Sequence, residues 1–478
     1  MVGMSSTQYA AAQRFIKFVN ASPTPYHAVR NAVIRLEAAG FSKLQEGDDD
    51  WDAALQGGGR FYFTRNQASI VAFTVPSGFK PGNGISIVGT HTDSPNLKLR
   101  PVSKRTKYGY LQVACELYGG GLWHTWFDRD LSIAGRVVVS NPKTGTFTSK
   151  LIKIERPLLR IPDVAIHLDR TQNDKFSPNL ETEFVPILGI VEDKLNAKPA
   201  AKKNEGSSTK TVQTGITHNH HPELIELIAK ELEVTPDDIQ DFDLSLYDTQ
   251  PSTLGGLNDE FIFSPRLDNL MSTFCAVEAM CESVGQNLSQ VEASRAGQVN
   301  VIACFNHEEI GSVSTTGAES SIIPQLLGRL APTPSLLASS VAKSFLISAD
   351  MGHAIHPNFP SKHQEAHAPM MNGGVVIKTN AKQRYATDAL GTFIVRKLIE
   401  KRGRPVQEYE VRNDMACGST IGPFLSKIGI RTVDVGAPML SMHSIRETGG
   451  SADIDAYIDL FSEFFQGFSQ LDSSLKLD

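Results

Sequence analysis

Cysteine is scarce in this sequence and never paired. Its five cysteines, Cys115, Cys275, Cys281, Cys304 and Cys417, are scattered along 478 residues, and no two have C-x-x-C spacing. That usage argues against a disulfide framework and against a thiolate zinc site, and it fits reduced thiols in a cytoplasmic protein. Long apolar runs are also missing, since no stretch approaches the roughly 18 residues that a membrane-spanning helix needs. Residues 1–9 lack a basic region followed by an apolar core, so no signal peptide is expected. There is no positive excess: 46 Lys and Arg stand against 52 Asp and Glu, a formal net charge of -6. A phosphate-tracking surface needs the opposite balance, so neither nucleic acid nor membrane is expected as a partner. A Gly-x-Ser-x-Gly elbow for serine hydrolysis is absent, and Gly119-Gly120-Gly121 lacks the strand and helix context of a dinucleotide site. No internal repeat is apparent.

Hydrophobic residues at 41% and charged residues at 21% leave an ordinary globular balance, on a chain long enough for two domains. Residues 9–19 and 26–39 carry helical spacing, the second closed by Gly40. Residues 60–75 read as a hairpin turning at Asn66, and 85–89 as a short buried strand. From about 97 to 183, short β-type segments (110–114, 135–139, 151–154) alternate with Gly and Pro turns, which suggests a mainly β insertion. Residues 196–215 (NAKPAAKKNEGSSTKTVQTG) have almost no large apolar side chains and read as a mobile surface loop. His218, His220 and His221 resemble a metal-binding tract, but they adjoin that loop and are expected to belong to it. Beyond it, helices at 222–233, 268–282, 386–401 and 453–465 alternate with strands at 299–305 and 344–348, the pattern of a layered α/β domain.

The informative residues are those immediately after the buried strands, because open α/β sheets gather ligands beyond the carboxyl ends of their strands. Residues 85–89 run into Thr90-His91-Thr92-Asp93, and 299–305 into Asn306-His307-Glu308-Glu309. Residues 344–348 run into Ala349-Asp350, a late strand near 431–435 leads to His443, and the helix near 268 begins with Asp268. Singly, each is a common loop, turn or cap residue. Together, two imidazoles and three carboxylates suit a pair of divalent ions held by nitrogen and oxygen. Two such ions bring four positive charges; Asp268, Glu309 and Asp350 bring three negative ones, and one hydroxide leaves the cluster neutral, as a desolvated site requires. A bridging Asp268 would join His91 and Asp350 on one ion to Glu309 and His443 on the other, with Asp93 orienting the His91 ring. Glu308 is then left as the general base, acting on a water that the two ions acidify. Alternation of adjacent residues at a strand end would separate Glu308 from Glu309, although these two roles are interchangeable on sequence alone.

These residues lie in segments that resemble the aspartyl aminopeptidases, a group of co-catalytic dizinc exopeptidases. The resemblance runs from the first helix to the C-terminus. It is carried by HTDSPNLKLRP (91–101), YGGGLWHTWFDRDLSIAGRV (118–137), RIPDVAIHLDR (160–170), SPRLDNL (264–270), NHEEIGS (306–312), SADMGHAIHPN (348–358), KQRYATDA (382–389) and SMHSIRETGG (441–450). It implies the same ligands (His91, Asp268, Glu309, Asp350, His443), Glu308 as base, and two zinc ions per subunit, replaceable by manganese or cobalt. It further implies an α/β metallopeptidase domain with a mixed sheet at 1–96 and 235–478, and an inserted PDZ-like dimerisation domain at 97–234. Homododecamers with enclosed active sites are expected, in which His167 of the inserted domain reaches a neighbouring subunit's site. The expected substrates are peptides with N-terminal Asp or Glu. A desolvated substrate carboxylate needs cations or donors. Residues 353–385 supply His353, His356, His363, His367, Lys378 and Tyr385; by resemblance His353, Lys378 and Tyr385 contact substrate, with Lys378 the main counter-charge.

Two alternatives stay open at this point. One is a dizinc aminopeptidase or deacylase with another substrate preference, which a panel of N-terminal Asp, Glu, Leu and Lys peptides separates. The other is a catalytically silent oligomeric binding protein, which would be expected had Glu308 or a ligand been replaced. With a first helix expected so near residue 9, little room remains for a targeting extension, and the cytoplasm is the expected location.

Overall fold

In the computed structural model, residues 4–48, 51–191, 216–285 and 297–476 are described. The surface loop expected at 196–215 lies outside them. The chain divides into two units, Met1–Ser94 with Ser252–Asp478, and Pro95–Pro251.

In the first unit, apolar runs form a nine-stranded mixed sheet. Its strand order is Ser42–Lys43, Gly59–Arg65, Ser69–Val75, Val299–Phe305, Ile85–His91, Phe345–Ala349, Arg431–Gly436, Val375–Thr379 and Val406–Glu410. Four neighbouring strands in its middle (Val299–Phe305, Ile85–His91, Phe345–Ala349 and Arg431–Gly436) are mutually parallel. Their carboxyl ends therefore open on one edge. Every residue of Ile85–His91 and Val299–Phe305 is buried, because helices cover both faces of the sheet. Gly89 reflects that crowding: a Cβ there would sit 2.7 Å from Cδ1 of Ile421.

One face carries the helices Ser6–Asn20, Pro25–Ala38, Leu267–Gly285, Ala389–Glu400 and Asp453–Ser473, whose apolar stripes merge into one core. The last helix runs past the expected end at 465 because Phe464, Phe465 and Phe468 continue its buried stripe. Phe464 and Phe468 lie 6.1 and 5.1 Å from the Phe345 ring, and each such burial contributes about 1.5–3 kcal/mol. The other face packs Ile322–Leu330 and Gly422–Ser426. A smaller five-stranded sheet joins Thr253–Gly255, Phe261–Ser264, Glu447–Gly450, Pro438–Leu440 and Gly352–His353. These strands are too short to be distinguished from loops by their sequence pattern.

The second unit holds a six-stranded antiparallel sheet in the order Thr146–Lys153, Leu131–Asn141, Ile239–Asp248, Asn96–Lys107, Tyr110–Tyr118 and Ile187–Ile190. Ile239–Asp248 pairs with Leu131–Asn141 along nearly its whole length, which carries this unit to Pro251. The helix Pro222–Leu232 buries Leu224, Ile225 and Ile228. The two histidines before it do not belong to an exposed surface loop, since both are 1% exposed. His221 Nε2 lies 2.9 and 3.0 Å from the carbonyl oxygens of Arg105 and Gln112. His220 Nδ1 lies 2.7 Å from Ser103 Oγ, with its ring 4.6 Å from Phe242. Burial drives His220 down to about 4, so at neutral pH it is an uncharged packing residue. Among the described residues, no helix is long and apolar enough to cross a membrane.

Candidate active site

Seven of the expected residues come together beyond the carboxyl ends of the parallel strands, some from the strands themselves and others from the turns and the helix start beside them. His91 ends its strand fully buried, and its Nδ1 lies 3.0 Å from the Asp93 carbonyl and 3.4 Å from Asp93 Oδ1. That leaves Nε2 facing three carboxylates: Asp268 Oδ1 at 3.3 Å, Asp350 Oδ1 at 3.5 Å and Glu308 Oε2 at 3.8 Å. His443 Nε2 meets the other oxygen, Asp268 Oδ2, at 3.2 Å, and Glu309 Oε2 at 3.3 Å. Asp268 thus presents one oxygen to each imidazole.

Asp93 also accepts the backbone N–H groups of Glu308 and Glu309 at 3.2 and 3.1 Å. Those two glutamates do not sit on a strand end. They occupy a 3-10 turn, Glu308–Ile310, entered through His307 at φ 63°, so helical rotation rather than strand alternation splays their side chains. Further bonds fix the surrounding chain: Thr273 Oγ1 donates to the His91 carbonyl, Ser94 Oγ to that of Asp268, and Asn269 Nδ2 to that of Ala349, at 2.8, 2.6 and 2.8 Å.

Five carboxylates around two imidazoles make a strongly negative, buried cluster. Burial opposes the charged form of His91, yet its bonds to Asp268, Asp350 and Asp93 hold it well above an ordinary histidine. Burial likewise opposes the charge of Asp268, but His443 and His91 keep it well below an ordinary carboxyl. For Glu308, burial and then the charges of Asp350, Asp93 and Asp268 prevail over His91 and push it up to about 8. Burial and Asp268 raise Glu309 even more clearly. Such a set calls for cations.

The donor atoms fit that need. His91, Asp268 and Asp350 offer atoms within 4.8 Å of one another, as do Asp268, Glu309 and His443, and also His91, Glu308 and Glu309. Glu309 Oε1 is buried and has no hydrogen-bond partner among the described residues, as a lone pair reserved for a metal would be. Mixed nitrogen and oxygen donors suit zinc.

The other expected residues are more dispersed. Lys378 is 1% exposed; its Nζ donates to the Met351 carbonyl at 3.1 Å and lies 5.0 Å from the Tyr385 ring centroid. Tyr385 is buried beside Tyr409 and Cys417. His353 is solvent-exposed, its ring 5.8 Å from that of Tyr409; crowding by surrounding atoms and the nearby Lys378 charge lower its pKa. His363 accepts the His356 N–H at 3.1 Å, and His367 Nδ1 lies 2.6 Å from Gln364 Oε1, contacts that hold their own loop. His167 lies in an exposed turn of the second unit.

Sequence reasoning missed two buried carboxylates nearby. Asp434 accepts from Thr420 Oγ1 and the Ala386 N–H, both at 2.6 Å. Glu447 accepts the N–H groups of Leu267, Asp268 and His443. No local pattern marks either one, because the groups that bury them, Leu267 and Asp268 for Glu447 and Ala386 for Asp434, come from other segments of the chain.

Nitrogen and carboxylate donors converging at the edge of a layered α/β sheet define a metalloenzyme class of site. Comparison with known proteins specifies it further. The family model described as aminopeptidase I zinc metalloprotease (M18) matches residues 18–465, and the chain belongs to that family. It is 47% identical to aspartyl aminopeptidase 1 of Schizosaccharomyces pombe, covering 99% of this chain and 98% of that protein. It is 48% identical to aspartyl aminopeptidase 4 of Saccharomyces cerevisiae, covering 97% and 96%. Among solved structures, Ape4 in its complex with Nbr1 matches with a TM-score of 0.91 at 46% identity, over 100% of this chain and 90% of that one. The S. cerevisiae mApe1 dodecamer matches with a TM-score of 0.84 at 28% identity, over 98% and 99%.

Proposed function

We propose that this protein is a zinc aspartyl aminopeptidase, which hydrolyses the peptide bond after an N-terminal Asp or Glu and releases that amino acid. The observation that carries the reading is the convergence of His91, Asp268, Glu309, Asp350 and His443 from five separate segments on one buried cluster. Near full-length similarity to proteins named aspartyl aminopeptidases supports the substrate class.

Two zinc ions per subunit, with manganese or cobalt as substitutes, are the proposed cofactors. His91 and Asp350 would serve one, Glu309 and His443 the other, and Asp268 both. When bound, they supply Lewis-acid polarisation of the scissile carbonyl and acidify water. Glu308 is assigned as general base, since Glu309 is engaged with His443 while Glu308 approaches only the His91 imidazole. Its carboxylate takes a proton from the attacking water as the C–O bond forms, then delivers it to the departing amine as the C–N bond breaks. Asp93 orients His91 and, through two N–H groups, the turn bearing both glutamates.

Lys378 is assigned as counter-charge to the substrate's side-chain carboxylate, with His353 and Tyr385 as the neighbouring contacts. The second unit is assigned as a PDZ-like dimerisation domain of a homododecamer, and His167 as its contribution to a neighbouring subunit's site. The assignment draws on the sequence resemblance and on the dodecameric mApe1 structure. A cytoplasmic location completes the reading. Chelation followed by zinc titration, assayed on peptides with N-terminal Asp, Glu, Leu and Lys, tests it. Activity that survives complete metal removal, or a preference for Leu or Lys, contradicts it.

A further inference from the structure

Asp268 and His443 share an unusual backbone situation. Asp268 has φ -82° and ψ 104°, outside helical values at the start of its helix, and His443 has φ 66°. Neither lies in a strand, so no ladder of main-chain bonds fixes the direction of its side chain. One side chain reaches both. Glu447 begins the strand Glu447–Gly450, which pairs with Phe261–Ser264 in the register Ser264 to Glu447. That register sets it beside the chain entering Asp268. Glu447 is 2% exposed; its Oε2 accepts the N–H of Leu267 at 2.7 Å and of Asp268 at 3.3 Å, and its Oε1 accepts the N–H of His443 at 2.8 Å. The two side chains so held meet at 3.2 Å, although 175 residues separate them in sequence.

We propose that Glu447 is a positioning residue which, through these three hydrogen bonds, fixes Asp268 and His443 relative to each other and so sets the affinity of the metal site. It touches neither substrate nor metal. The inference rests on the assignment of Asp268 and His443 as zinc ligands. Both carboxylate oxygens are needed because their donors belong to two separate segments. Glutamine keeps the size but offers one acceptor oxygen and one NH2 group; whichever way its amide is turned, a donor faces a donor on one side and that segment is released. Aspartate keeps both acceptors on a stem one methylene shorter.

The test uses the full-length protein, stripped of metal and titrated with zinc against a chromophoric chelator, with thermal unfolding followed in parallel. Asp453→Asn is the control. Asp453 is also a buried carboxylate accepting two backbone N–H groups, of Asn372 at 2.7 Å and Gly374 at 3.0 Å, but that loop carries none of the proposed ligands. Glu447→Gln is expected to weaken zinc binding by about 10–100-fold and Glu447→Asp by less, while Asp453→Asn changes it by less than about twofold. If Glu447→Gln does not fold, Glu447→Asp decides: weaker zinc binding supports the proposal and unchanged binding overturns it. A Glu447→Gln protein that melts earlier yet binds zinc like wild type makes Glu447 merely structural and overturns it too. A wild-type protein without zinc affinity is a different result, one that removes the metal assignment itself.

Discussion

Lys378→Met tests the proposed role of Lys378 in substrate recognition. Lys378 is 1% exposed, and the one hydrogen bond of its ammonium among the described residues goes to the Met351 carbonyl. On the proposed assignment, a substrate carboxylate docked against it would lose its water, and the cation would replace the lost solvation. Removing one partner of such a buried pair costs about 3–5 kcal/mol, which at about 1.4 kcal/mol per decade is a loss of two to three and a half decades in kcat/KM. The loss falls on N-terminal Asp and Glu peptides, whereas a Leu peptide, with no charge to satisfy, keeps its rate. Asp434 complicates the folding side of the experiment. Its buried carboxylate is pushed up by desolvation, and the nearby Lys378 charge is the first influence working against that. Losing Lys378 therefore destabilises the protein as well. The double variant Lys378→Met with Asp434→Asn relieves that stability cost without restoring the acidic preference. The assay is kcat/KM on peptides with N-terminal Asp, Glu, Leu and Lys, with melting temperatures recorded for each variant. If either variant keeps the wild-type preference for Asp over Leu, the role given to Lys378 is wrong.

Glu308→Gln is expected to lower kcat by about 10²–10⁴-fold while zinc per chain, measured by atomic absorption, stays at the wild-type level. Glu309→Gln is expected to lose bound zinc as well as activity, and the opposite pattern would exchange the two roles. Metal removal is expected to lower the melting temperature, and zinc at about 100 times its dissociation constant to restore about 2.7 kcal/mol, as a ligand bound only by the folded state does. His220 predicts an acid sensitivity of the second unit. Burial holds it at about 4 in the fold, below the ordinary 6.5, so between those values the unfolded chain binds a proton that the folded one refuses. Its contribution is thus present above about pH 6.5 and is lost as pH falls through about 4, a change of ~1–3 kcal/mol. Melting curves from pH 7 to pH 4 are expected to fall less steeply for His220→Phe than for wild type; equal slopes would count against a neutral, buried His220.

Periodicity and strand-end chemistry went a long way here. The strand Val299–Phe305, the hairpin around Asn66 and the helices flanking the sheet follow from local apolar spacing, which needs no distant partner to be read. His91, Asp93, Glu308, Glu309 and Asp350 stand out because each directly succeeds a buried run, and parallel strands deliver such residues to one edge. Other features depended on pairing between distant segments. The 3-10 turn that splays Glu308 from Glu309 is set by Asp93, more than 200 residues earlier in the chain. His220 and His221 read as loop residues until the sheet of the second unit closed over them. Glu447 and Asp434 carry no local signal at all, because a carboxylate that accepts backbone N–H groups is defined by where those groups come from. Sequence by itself determined which side chains are available for the chemistry and which runs had to be buried. Only the tertiary structure decided which oxygen faces which imidazole, since hydrogen bonding and burial act through distances of a few ångströms that spacing along a chain does not encode.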